Sequence, residues 1–377
     1  MSDPRVAKLA DLLVDYSLEL QAGQQVRIDG GTVAAPLVRE LYRHALRAGA
    51  HPRTRIDVEG VDVITLAEAS EQQLTFVSEL DRQDVEQIDA FITIWGDRNT
   101  RALSQADPAR VSRRIGSRRE LINRLWERID ADQAKWVGTR FPTSAHAQDA
   151  EMSLSDYEDF VYSACHVRES DDPVAHWRGT SAVLNARARE LETVRELRIV
   201  GPDTDLRLGV EGRGWIGADG KLNMPDGEIF TSPLETETEG EIRFSFPAIF
   251  HGRSVEDVRL RFEGGRVVAA EAKTGNDYLQ SLLDMDDGSR ILGELAFGLN
   301  YEIDRFTRDI LFDEKIGGTV HLALGASFKK VGGENDSGLH WDMICDLRDE
   351  GEIYADGELV WKAGHFLHEP GLVASAV

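Results

Sequence analysis

An α/β N-terminal domain with a mostly parallel sheet, followed by an α+β C-terminal domain that carries a metal site, is the fold class this sequence predicts. Three observations lead to it. Up to about Glu192, short apolar strands alternate with amphipathic helices, the β-α-β rhythm of a parallel sheet. Beyond that point the chain becomes a series of short alternating segments separated by Gly, Pro and Asp turns. Within the second half, Thr319 to Gly325 and His340 to Leu347 read as strands that set imidazoles and a carboxylate opposite an apolar face. The expected domains are therefore residues 1–192 and 193–377.

In chain order, Val6, Leu9, Leu12, Leu13 and Tyr16 recur at helical spacing over Pro4 to Leu20, and Ala22-Gly23 stops that helix. A strand follows at Gln25 to Asp29. Gly30-Gly31-Thr32 leads into a helix from Ala35 to Ala48, ended by Gly49, and Arg53 to Val58 is the next strand. The alternation continues with a strand at Ala90 to Trp95, a charged helix around Arg113 to Ile129 and a strand at Lys135 to Thr139. Ser153 to Asp156 supplies cap residues for helical chain that runs through Arg187 to Glu192. Strands are then expected at Leu197 to Val200, Asp205 to Val210, Glu241 to Phe246, Val258 to Phe262 and Arg266 to Ala272, with Glu235 to Glu241 as a solvated acidic loop. The glycine pair before the first long helix matches neither G-x-G-x-x-G nor a GK[ST] loop, so it reads as a turn and not a phosphate cradle.

Composition narrows the function. With 377 residues there is chain enough for two substantial cores. A formal net charge of -24 repels nucleic acid and anionic membranes, so neither is an expected partner. The two cysteines, Cys165 and Cys345, lack metal or disulfide spacing and read as buried, reduced hydrophobes. No apolar run approaches the roughly 20 residues of a membrane span, and a soluble cytoplasmic protein is expected.

The chemistry is expected at the two late strands. In the second, Trp341, Met343, Cys345 and Leu347 share the core face, leaving His340 and Asp342 together on the other. In the first, Val320, Leu322 and Leu324 face the core and His321 points away. Imidazole nitrogen and carboxylate oxygen two residues apart suit a divalent ion. Two more carboxylates complete the set. Glu228 follows the Pro225-Asp226-Gly227 turn, and Glu294 sits in an apolar run, Ile291 to Gly298, that reads as helical. A carboxylate on an apolar face needs a partner such as Arg290, a held proton or a cation. Three carboxylates and two imidazoles match two neighbouring divalent ions, zinc, cobalt, manganese or magnesium, bridged by a carboxylate, as in many metal-dependent aminopeptidases.

The same residues resemble the aminopeptidase T / aminopeptidase S family of metallo-aminopeptidases. The matching runs are Asn223 to Thr231, Leu292 to Ala296, Asn300 to Arg305, Ile310 to Gly325 and Leu339 to Met343, and the resemblance covers essentially the whole chain, since the N-terminal half, with Leu37 to Tyr42 and Asp156 to Val161, is similar too. The resemblance implies a homodimeric, cytoplasmic enzyme that releases single amino acids from peptides with a free N-terminus, with broad specificity. It places the metal ligands on Glu228, Glu294, His321, His340 and Asp342. One departure stands out: where relatives commonly carry Tyr, this chain has Phe328, which has no hydroxyl to offer a metal or an oxyanion, and Lys329 is the neighbouring donor that could take over. The rival expectations are a specialised metal-dependent amidase and a metal or small-molecule binding protein without activity.

Overall fold

The computed structural model describes residues 3–250 and 252–371. The chain divides into two compact units, one of Met1–His176 with Gly220–Pro225, the other of Trp177–Asp219 with Asp226–Val377. The division precedes most of the helix Pro173–Leu191, whereas the change of sequence texture places it after that helix, near Glu192. The reason is packing: Leu184, Ala188 and Leu191 of that helix belong to the hydrophobic core of the second unit.

In the first unit the helix α1 (Pro4–Leu12) is capped by the Asp3 carboxylate on the Arg5 N–H and passes into a π-helical turn at Leu13–Ser17. Strand β1 (Gln25–Gly31) is followed by helix α2 (Ala35–Arg47), whose Leu37, Val38, Leu41 and Ala45 form one buried stripe. Strands β2 (His51–Asp57), β3 (Ala90–Trp95) and β4 (Lys135–Arg140) complete the parallel set, in the order β2, β1, β3, β4, with Asn223–Met224 added beside β4. The central β3 is apolar on both faces, as a strand between covering helices must be, whereas the edge strand β2 exposes Arg53 and Arg55. At the carboxyl ends of β1 and β3, where the strand order reverses, lies a crevice of about 490 Å³. Its wall includes Gly30 and Gly31, but also Asp29, Asp57, Glu59, Asp62 and Asp97 against Arg98, a charge balance that opposes a phosphate.

The second unit contains two antiparallel sheets. The larger includes Glu196–Gly201, Thr204–Gly209, Thr238–Phe244 and Arg253–Glu263, so the segment expected as an acidic loop is in large part a strand, with Ile242 and Phe244 buried in the core. The smaller has five strands in the order His340–Asp346, Thr319–Gly325, Leu292–Gly298, Glu228–Thr231, Ile216–Ala218. Its alternate residues Leu295, Phe297, Val320, Leu322, Trp341, Met343 and Cys345 enter the core that also holds Leu206, Leu208 and Phe262 of the larger sheet. Both cysteines are buried thiols outside any disulfide. Among the described residues no helix is long and apolar enough to cross a membrane.

Candidate metal centre

The five-stranded sheet has a second face, and strand alternation decides what it carries. With Leu295, Phe297, Val320, Leu322, Trp341 and Met343 in the core, Glu294, His321, His340 and Asp342 fall on the opposite side of three adjacent strands. Register brings them level. Ala323 pairs with Glu294 on one side and Asp342 on the other, and Gly325 pairs with His340.

Two glycines aim the glutamates. The Leu292–Gly298 segment is a fully buried strand, not the helix its i-3 and i+3 apolar neighbours suggested, because it is hydrogen-bonded to a strand on each side. The pairing register shifts between Leu292 and Glu294, a bulge that re-aims the side chain. A Cβ on Gly293 would lie 2.1 Å from the Ala326 carbonyl oxygen, so only glycine fits there. At Glu228 the turn before the strand needs Gly227 at φ +117, where a Cβ would sit 2.9 Å from that of Asn300.

All five expected residues converge. His321 Nε2 lies 3.6 Å from Glu228 Oε2 and 3.5 Å from Glu294 Oε1. His340 Nε2 lies 3.3 Å from Glu294 Oε2 and 3.6 Å from Asp342 Oδ1. The two oxygens of Glu294 thus face different imidazoles. Each ring is held from behind: His321 Nδ1 donates to the Glu314 carbonyl oxygen at 2.8 Å, and His340 Nδ1 donates to that of Ala326 at 2.9 Å. A carbonyl can only accept, so the proton is on Nδ1 and Nε2 is the nitrogen turned to the carboxylates. Arg290, the candidate partner of Glu294, instead pairs with Asp284 at 2.7 Å.

Two residues join the centre that sequence reasoning did not single out. Glu314 forms a possible ligand group with His321 and Asp342, alongside the group of Glu294, His340 and Asp342. Lys315 is completely buried and pairs with Glu228 at 3.7 Å and with Glu314. The run Asp313-Glu314-Lys315 looks like a solvated turn, since three successive charges seldom go inside. Here Asp313 accepts from the Thr307 N–H at 2.6 Å and hydroxyl at 2.8 Å, and Lys315 has carboxylates for partners. The available signal was position, seven and six residues ahead of His321 and within the same matching run. Lys329 does not join: its ammonium is 80% exposed, 3.8 Å from Asp336.

The electrostatics describe a site short of positive charge. Burial pushes the carboxyl of Glu228 well up even with Lys315 beside it. Burial likewise raises Asp342, to about 6. Glu294 resists burial because His321 and His340 hold it down to about 2, and burial of the two rings is in turn outweighed by Glu294, which lifts each to about 10. Burial would lower Lys315, but Glu228 and Glu314 raise it. Glu228 Oε2 and Asp342 Oδ1 are buried without a hydrogen-bond partner among the described residues. Their nearest imidazole nitrogens, at 3.6 Å, are too distant for a hydrogen bond. Donor atoms about 2.0–2.2 Å from a common ion stand roughly 3–3.5 Å from one another, so this donor set fits a divalent cation.

The family model described as thermophilic metalloprotease (M29) matches residues 2–366. Aminopeptidase 2 of Geobacillus stearothermophilus is 28% identical, with 96% of this chain and 97% of that protein covered. Aminopeptidase T of Thermus aquaticus is 29% identical over 93% of this chain and 94% of its own length. The structure of wild-type AmpT from Thermus thermophilus superimposes with a TM-score of 0.84 at 27% identity, covering 97% of this chain and 99% of that one.

Proposed function

The chain belongs to the thermophilic metalloprotease (M29) family, and from that premise we propose that this peptide-bond hydrolase is an aminopeptidase of broad specificity using two divalent ions. Glu228, Glu294, His321, His340 and Asp342 would hold the ions, and Glu294, whose two oxygens face different imidazoles, lies between the two rings. The observation that carries this reading is the charge of the cluster. Glu228, Glu294, Glu314 and Asp342 bring four carboxyl groups together around the two imidazoles, with the Lys315 ammonium beside Glu228 and Glu314, so with both rings neutral the cluster carries an excess of acidic groups for cations to balance.

Bound there, two such ions would acidify a water and polarise the scissile carbonyl. The protein's own groups do the rest. The carbonyl oxygens of Glu314 and Ala326 keep both rings in the tautomer that presents Nε2. Glu314 is 17% exposed where Glu228 and Glu294 are nearly sealed, and unlike Asp342, at 13%, it is not one of the five proposed ligands. It takes the proton from the attacking water and returns it to the leaving amine. Lys315 holds Glu314 and Glu228 in place by its ammonium. The acidic surroundings favour a substrate's free α-ammonium over an internal stretch of peptide. A cytoplasmic homodimer is part of this proposal, and light scattering of the purified protein tests the dimer.

The narrower amidase reading draws on Phe328, whose ring has no hydroxyl to support the oxyanion. A panel of amino-acid p-nitroanilides, with and without zinc or cobalt, separates the two. Hydrolysis across several N-terminal residues supports the aminopeptidase; a single accepted amide supports the amidase.

Metal removal gives a further expectation. In the metal-free protein His321 and His340, raised to about 10, are both protonated at neutral pH, so a metal must displace their protons. Apparent affinity should therefore rise with pH between about 6 and 8, and proton release should accompany binding. Titration calorimetry in buffers of different ionisation enthalpy measures this, and binding without proton release would contradict it.

A further inference from the structure

The metal-binding face has an apolar border. Phe230 lies two residues beyond Glu228 on one strand and so points to the same side of the sheet, while Ile229 between them enters the core. Phe328 comes from the loop after the His321 strand. Its N–H donates to Ser232 Oγ at 2.9 Å, and its carbonyl accepts from the N–H of Val331 at 3.2 Å and of Gly333 at 3.0 Å, which fixes the backbone on both sides. The Phe328 ring lies 5.0 Å from that of Phe230 and 5.4 Å, edge-on, from that of His340. It thus links the first and last strands of the centre, and it is 37% exposed, unusual for a ring so held. On the same face of the sheet the side chains beside the metal-ligand candidates include the methyl groups of Ala296, which pairs with Phe230 and His321, and Ala323, which pairs with Glu294 and Asp342.

We propose that Phe230 and Phe328 form an aromatic wall that receives the side chain of the substrate's N-terminal residue and ranks substrates in favour of apolar ones. This rests on the aminopeptidase reading of the same centre. A peptide whose α-amine and first carbonyl lie at the carboxylates and imidazoles has its first side chain beside His340, within reach of the Phe328 ring. An aliphatic or aromatic group there covers apolar surface that water would otherwise wet. A hydroxyl or ammonium loses water against two rings and gains no hydrogen bond from them. Lys329, the charged neighbour of Phe328, is turned away to solvent and so supplies no counter-charge to an acidic first side chain either. Specificity is thus broad but graded, since an apolar wall discriminates by size and polarity without excluding.

The test compares kcat/KM for Leu-, Phe-, Ala-, Ser- and Lys-p-nitroanilide in the metal-loaded wild type, Phe328→Ala, Phe328→Leu and Phe230→Ala, with metal content measured on each. Leu and Phe substrates are expected to lead in the wild type and to lose about tenfold or more in Phe328→Ala. Ala and Ser substrates should lose several-fold less, and Phe328→Leu should keep most of the ranking. Phe230→Ala should flatten it in the same direction. If both alanine variants retain metal and lower every substrate by one common factor, the wall is wrong while the aminopeptidase reading stands. If the metal-loaded wild type hydrolyses none of the five, that reading falls and the wall with it.

Discussion

Glu294→Ala is expected to abolish both metal retention and activity while leaving the fold intact. Among the described residues Glu294 is the carboxylate paired with both imidazoles, at 3.5 Å and 3.3 Å, so its loss removes a direct link between the two rings. Several kcal/mol of transition-state charge stabilisation depend on the ions, and the expected fall in kcat/KM is about a thousandfold or more. The strand itself should survive. Its backbone remains paired on both sides, Leu295 and Phe297 stay in the core, and the change removes a buried carboxylate without opening the apolar face. Elemental analysis after dialysis, an aminoacyl p-nitroanilide assay and circular dichroism together decide the matter. A variant that keeps its metal and its turnover would remove Glu294 from the centre.

Lys315→Met is expected to cost about 3–5 kcal/mol of stability, the range for stripping one partner from a buried ion pair. The ammonium is fully buried, and its loss leaves the carboxylates of Glu228 and Glu314 without the positive charge that lies between them. Methionine fills a similar volume, so the penalty is electrostatic and not a cavity. The sign with respect to metal follows. Divalent ions supply positive charge to the same carboxylates, so the metal-stripped variant should be destabilised more than the metal-loaded one. Urea unfolding of wild type and variant, each with and without chelator, gives both differences. A loss below about 1 kcal/mol in the stripped protein would mean that Lys315 does not neutralise the cluster.

The strand residues were legible because alternation is a local rule. Once Trp341, Met343 and Cys345 face a core, His340 and Asp342 must face away from it, and the structure has them so. The same logic failed at Glu294. Isoleucine and phenylalanine three residues to either side fit a helix as well as a doubly covered strand, and only the neighbouring strands select between them. Glu314 and Lys315 were hidden for a related reason. Their burial depends on Glu228, far away in the chain, and nothing local distinguishes a solvated charge from a paired one.

By itself the sequence determined the parallel α/β half, the strand-rich second half and the family, and it pointed to five side chains that the structure brings together, because periodicity, turn residues and motif order are written in neighbouring positions. Tertiary structure alone decided which imidazole each Glu294 oxygen faces, that a buried ammonium offsets part of the carboxylate charge, and that two phenyl rings border the cluster. Those facts depend on strand register and a glycine bulge, which set distances between residues remote in sequence.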